Sequence, residues 1–209
     1  MTLENEGETV AAEPITAPHP RGRVGAVVDR QAMRLLTAAS KGAPWSIAAL
    51  ARLRRGAGKQ PGELLDILEF TLDDDFFVGR SDAGASIDEY AAHVALTLFA
   101  LHQQSKSQPM HKSGVGLGSA LRRLADGPDI PEPVQHRFRV LGTADGVSEL
   151  VHHLRGAVAL LRANDIALDY GLLADQLVAW HWTDGPNRVR LRWGRDFYRT
   201  DRPTTTTLS

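Results

Sequence analysis

Asp184-Gly185-Pro186-Asn187-Arg188-Val189-Arg190-Leu191-Arg192-Trp193-Gly194-Arg195-Asp196-Phe197 is the stretch of this chain that allows two foldings. From Arg188 to Trp193 cationic and apolar residues alternate, which is the two-residue period of a strand. Over the longer window Val189, Trp193 and Phe197 step by four, and Asp184 with Pro186 supplies a helix start. A lone strand has no partner for its backbone groups, and no other stretch of the chain alternates convincingly. The helical reading therefore prevails, and with it an all-α fold.

Working upstream, Asp169 is placed to cap a helix that turns Tyr170, Leu173, Leu177 and Trp180 inward. Val147, Leu150, Val151, Leu154, Val158 and Leu161 make a clean amphipathic helix before it. Trp180, Trp182, Trp193 and Phe197 read as core, because aromatic residues at helical period pack more often than they stack on bases. The run Gly127-Pro128-Asp129-Ile130-Pro131-Glu132-Pro133 breaks the chain. It is expected to separate two small helical-bundle halves, residues 21–127 and 128–200.

In the first half, Ser86 and Glu89 form a capping box ahead of an inward stripe of Ile87, Tyr90, Ala91, Val94, Leu98 and Leu101. Pro61 suits the start of a helix packed through Leu64, Leu65, Leu68 and Leu72. Pro44 suits the first turn of another, with Ile47, Leu50 and Ala51 inward. Val24, Val28, Ala32, Leu35 and Ala39 share one face of the earliest helix, opposite Arg23, Arg30, Arg34 and Lys41. A short helix is expected from about Leu117 to Ala125. Residues 1–20, acidic and rich in Thr, Ala and Pro, read as a disordered leader, and 201–209 as a disordered tail.

The chain has no cysteine, which excludes disulfides, zinc–thiolate sites and thiol catalysis and fits a reducing cytoplasm. No apolar run is long enough to span a bilayer, and no signal pattern opens the chain, so no membrane segment is expected. A net charge of -1 conceals strong segregation. Residues 21–60 carry nine basic side chains against Asp29 alone, and residues 61–100 carry nine acidic side chains against Arg80 alone. Residues 101–125 are basic without any acid, and six arginines stand between Arg188 and Arg202.

Several motifs, taken in order, resemble the small subunit (CasB) of the type I-E CRISPR Cascade complex. They are Ala51-Arg52-Leu53-Arg54-Arg55-Gly56, then His102-Gln103, then the segment from Lys112-Ser113-Gly114-Val115-Gly116 through Leu124. Arg137-Phe138, His153-Leu154-Arg155, Leu168-Asp169-Tyr170 to Trp180, and Trp193-Gly194-Arg195-Asp196-Phe197-Tyr198-Arg199 continue the set. The resemblance runs from about Arg21 to Arg199. It implies a two-part helical protein, present as a pair of copies along the belly of an effector complex with backbone and large subunits. There it would line the groove holding guide RNA and target DNA and help restrain the displaced strand of the R-loop. The family often carries a basic residue where this chain has Ser119, although Arg122 and Arg123 stand close by.

Candidate contacts follow the charge. Arg52, Arg54, Arg55 and Lys59 present cations together beside two glycines, and guanidinium groups bind phosphate oxygens in pairs. The competing account is a solvated face neutralised by the acidic stretch that follows. Lys106, Lys112, Arg122 and Arg123 form a second group on a basic loop read as mobile and placed to touch an extended strand. Gly114, Gly116 and Gly118 lack the strand and the Gly-Lys-Ser/Thr signature of a nucleotide loop. Arg137 and Arg139 are placed to complete a groove between the halves, and Arg155 and Arg162 share one helix flank with it. For the arginines from Arg188 to Arg199, contact with partner subunits or a neighbouring copy is as fitting as contact with DNA.

Catalytic patterns are absent. The eight histidines include no His-Glu-x-x-His, and His152 and His153 point in different directions on a helix. Asp73-Asp74-Asp75 has no matching carboxylates elsewhere to hold a metal. The expected function is that of a non-enzymatic, cofactor-free subunit gripping phosphate backbone in antiviral defence. A helical protein–protein scaffold and a dimeric helical regulator reading duplex DNA are the alternatives.

Overall fold

The computed structural model describes residues 21–76, 84–125 and 127–199. The leader and the tail lie outside the described residues. Nine α-helices form among those described: α1 (Arg23–Ser40), α2 (Pro44–Arg55), α3 (Leu68–Thr71), α4 (Ile87–Gln103), α5 (Leu117–Arg122), α6 (Glu132–Gly142), α7 (Val147–Ala163), α8 (Tyr170–Trp180) and α9 (Gly185–Tyr198). No strand forms among the described residues; a single parallel bridge joins His111 and Leu168. The fold is all-α, and no helix among the described residues is long and apolar enough to cross a membrane.

The local signals hold at α4, α7, α8 and α9. Ser86 accepts from the Glu89 N–H, and the Glu89 carboxylate accepts from the Ser86 N–H, which completes the capping box of α4. Asp169 accepts from the Leu172 N–H at the head of α8. In α7 the stripe Leu150, Val151, Leu154, Val158 and Leu161 is buried as its period requires. The residues that opened the question of a strand form α9, burying Val189, Trp193 and Phe197 on one face.

Helix α4 is the central element. It packs against α1, α2, α7 and α8, and every residue from Ala91 to Ala100 is buried. The one-sided stripe expected of it is replaced by burial all round, and Ile87 at its head is exposed. Helix α8 packs on both α1 and α4, and α5 packs on α9. Side chains from both sides of the Gly127–Pro133 break join one core cluster, Leu35, Leu98 and Leu121 together with Leu154, Leu177 and Phe197. The break itself leads into α6, with Pro131 as its N-cap and Pro133 in its first turn.

Three expectations are corrected. Pro61 does not open a helix: Gly62 takes a positive φ of 88°, and only a 3₁₀ turn and the single turn of α3 follow. There Ile67 and Phe70 are buried, while Leu65 is 79% exposed. Helix α2 turns Ser46, Ala49 and Leu53 inward, about one residue away from the expected face, and leaves Ile47 58% exposed. Its small residues let α2 approach α4 closely, and the Ser46 hydroxyl is satisfied by donating to Ala43 O. Trp182 is not core: it follows the end of α8 and is 61% exposed.

Candidate nucleic-acid interface

The basic end of α2 places three of its four cations against the acidic stretch that follows. Arg52 bonds Glu69 at 3.0 Å and its guanidinium lies over the Phe70 ring. Arg55 pairs with Asp66, and Lys59 stands 3.7 Å from Glu63. The neutralised-face account is thus partly realised. These pairs are solvent-accessible, however, and exposed ion pairs contribute only ~0–1 kcal/mol, so a phosphate can compete for the cation. Arg54 has no carboxylate within ion-pair distance among the described residues. All three arginines also sit in the last turn of α2, where cations favour the helix dipole.

Helix α7 brings further cations to this region. The Arg155 guanidinium lies so close over Gly58 that a Cβ there would fall 2.5 Å from Nη1. Gly58 itself adopts a positive φ of 90°. One residue along, a Cβ on Gly156 would fall 2.6 Å from Arg137 Nη1, so Arg137 of α6 rests on the same helix. Neither Arg155 nor Arg137 has a carboxylate partner among the described residues. Lys59 and Arg155 line one cleft of about 150 Å³, together with Gln60, Tyr90 and His93. The other cations disperse. Arg139 pairs with Glu132 on its own helix. Lys106 bonds Asp165 at 2.5 Å, near Arg162, whose guanidinium donates to Gln104 Oε1. Arg122 donates to Gly127 O at 2.6 Å, while Lys112 and Arg123 are exposed without an ionic partner among the described residues.

The 103–116 loop is anchored rather than free. Met110 and His111 are buried, Gln103 holds both Lys106 O and Gln108 O through its amide, and Leu168 N–H donates to Met110 O. Its two lysines therefore project from a fixed backbone, and a mobile arm does not describe them.

A buried polar network beside this loop escaped the sequence reading. Arg21 donates to Asp169 Oδ1 at 2.8 Å and pairs with Asp29 at the same distance. Asp169 also accepts from Gly114 N–H and Leu172 N–H, and these contacts and Arg21 hold its pKa below the ordinary value against the opposing effect of burial. His111 accepts at Nδ1 from Tyr170 N–H, so Nε2 carries the hydrogen and donates to Asp29. Asp29, His111 and Asp169 converge as three metal ligands would. The Arg21 guanidinium already occupies the cation position, and both imidazole nitrogens are engaged, so the arrangement is structural. It fastens the head of α1 to the head of α8.

A family model described as CRISPR-associated protein Cse2 matches residues 49–198. The crystal structure of CasB from Thermobifida fusca is similar over 86% of this chain and 100% of that one, with 41% identity and a TM-score of 0.75. A Cse2-family CRISPR-associated protein from Thermus thermophilus is 27% identical, over 83% of this chain and 97% of that one, with a TM-score of 0.61. CasB of M. ruber is 26% identical, over 72% and 84% of the two chains, with a TM-score of 0.54. No curated protein matches the chain.

Proposed function

The chain belongs to the CRISPR-associated Cse2 family, and from that premise we propose that it is the small subunit of a CRISPR Cascade complex, gripping nucleic-acid backbone without catalysing a reaction. The observation that carries this reading is the meeting of Lys59 and Arg155 in one cleft. Lys59 from the loop after α2 and Arg155 from α7 share one cleft, and Arg137 from α6 lies on the next residue of the same helix. Arg54 stands at the end of α2 leading into that loop. Cations supplied by separate segments suit a phosphate chain, which presents charge at repeated intervals rather than at one point.

Guide RNA, target DNA and the displaced strand are the nucleic-acid partners this reading implies. Binding by the free subunit is weak, and tethering in the assembly raises its effective concentration. The surface of α9 suits protein. Along α9, Leu191 and Tyr198 are exposed beside Arg188 and Arg195, with Trp182 just before the helix. Mixed apolar and arginine surface favours contact with neighbouring subunits or a second copy over contact with a phosphate chain.

Fluorescence anisotropy of the purified protein with a labelled single strand and a duplex, across a salt series, tests the reading. Arg54→Ala/Arg55→Ala and Arg155→Ala should each weaken single-strand binding about tenfold and flatten the salt slope by about 0.7, since Arg55 is already paired with Asp66. Both remain folded, since the lost groups are at the surface. Affinity untouched by either variant would return the function to the protein–protein scaffold.

A further inference from the structure

Four arginines on α9 and at its C-cap share one stripe. Arg188, Arg192, Arg195 and Arg199 follow one another at intervals of four, three and four residues, which gathers them on one flank of a helix. Arg188, Arg195 and Arg199 are exposed, and Arg192 is half-buried. None of the four has a carboxylate partner among the described residues. Asp196, on the same helix, is turned towards α5 instead: a Cβ on Gly116 would fall 3.4 Å from its Oδ2. Arg190 stands apart from the stripe, donating to Ala144 O and lying over the Trp180 ring. Leu191 and Tyr198 border the stripe and are both more than half exposed.

The stripe runs about 16 Å along the helix axis, with a guanidinium roughly every 5.5 Å. A compact anion meets one or two of these groups, whereas a segment with evenly spaced carboxylates meets the set. The chain itself contains such a segment. Glu4, Glu6 and Glu8 alternate, so an extended backbone turns all three to one side about 6.7 Å apart. Val10 follows on that same side, and no lysine or arginine precedes Arg21. Three carboxylates and then an apolar side chain complement guanidinium groups bordered by Leu191 and Tyr198. A phosphate chain would meet the arginines and leave the two apolar side chains without a counterpart.

The segment is also within reach. Arg21 is held by Asp169 and donates to Ser113 Oγ at 2.6 Å. A few residues on from Ser113, α5 lies so close to α9 that a Cβ on Gly118 would fall 2.2 Å from Trp193 O. The chain between Glu8 and Arg21 spans up to about 45 Å when extended. We propose that the α9 stripe is a docking site for residues 4–10 of this same chain, laid extended along Arg188, Arg192, Arg195 and Arg199 with Val10 against the exposed apolar pair. Because the segment is tethered to its site, its effective concentration there is on the order of millimolar. It covers the α9 surface that would otherwise meet a neighbouring subunit, and an incoming subunit has to displace it.

The test uses the full chain. It has no cysteine, so Thr2→Cys supplies a single attachment point for a nitroxide spin label. Amide NMR signals are compared with the label oxidised and reduced, at low salt. Signals from Arg188 to Arg199 should lose most of their intensity, while those of α2 keep theirs. Glu4→Gln/Glu6→Gln/Glu8→Gln on the labelled chain should restore the α9 signals, as should about 0.5 M salt, which screens exposed charges. Mixing spin-labelled chains with isotope-labelled chains that carry no nitroxide should leave α9 unbroadened. Absence of broadening at α9, broadening centred elsewhere, or broadening that survives the three substitutions would overturn the proposal. Broadening of α9 in the mixture would give the stripe to the segment of a second copy and overturn docking within one chain.

Discussion

His102 shows how one side chain can register its surroundings. It is fully buried beneath the end of α4, with Nδ1 2.8 Å from the Tyr170 hydroxyl. Burial first, then the charges of Lys106 and Arg162, push its pKa down to about 4, against Asp165. The unfolded chain titrates this group near 6.5. Between those values the unfolded state holds a proton the folded state refuses, so stability is lost as pH falls through that window. The full effect is about 3 kcal/mol, a melting-temperature drop readable by thermal denaturation at stepped pH. His93, also lowered by burial, acts in the same sense. Asp175, raised by burial, opposes them as the pH drops towards the ordinary carboxylate value. His102→Gln should flatten the profile between pH 6.5 and 4. An unchanged profile would show that this imidazole is not the responsible group. Little of this was legible in sequence. Asp169 as a cap was, because its partner is three residues away; its bond to Arg21 crosses 148 residues and leaves no local mark.

Among elements, α1 and α8 approach each other closely. A Cβ on Gly25 would fall 2.6 Å from Gly171 O and 2.2 Å from Asp175 Oδ2, and a Cβ on Gly171 would meet Gly25 O at 2.6 Å. Asp175 fills the remaining space by accepting from the N–H groups of Gly22 and Gly25. Gly25→Ala should therefore destabilise by about 2 kcal/mol through backbone displacement, despite the better helix propensity of alanine. The check is a shift in denaturant midpoint with an unchanged m-value. Helix existence was readable for α7, α8 and α9, each of which has one apolar face. Orientation failed for α2, where alanines on several sides make more than one face acceptable. It failed for α4 because a helix buried all round has no preferred stripe.

Across the whole molecule, the segregated charges of the sequence fold onto one another. Arg23 pairs with Asp88, Arg30 with Asp73 at 2.9 Å, Arg52 with Glu69 and Arg55 with Asp66, so the basic 21–60 segment lies along the acidic one. A chain arranged this way leaves few cations without a carboxylate partner among the described residues. In the proposed function Arg54, Lys59, Arg137 and Arg155 are the four that meet phosphates. Neutralising about four phosphates corresponds to a log–log salt slope near -3 on single strands, measured by the same anisotropy titration. A much steeper slope would show that dispersed cations such as Arg123 or Lys112 also engage. The all-α class, the caps and the inward faces of the amphipathic helices were determined by the sequence alone, because their causes act within one or two turns. Which basic residues meet was decided only by the tertiary structure. Arg155 reaches Gly58 because α7 and the α2 loop both pack beside α4, a relation set by shape in the core and invisible to spacing along the chain.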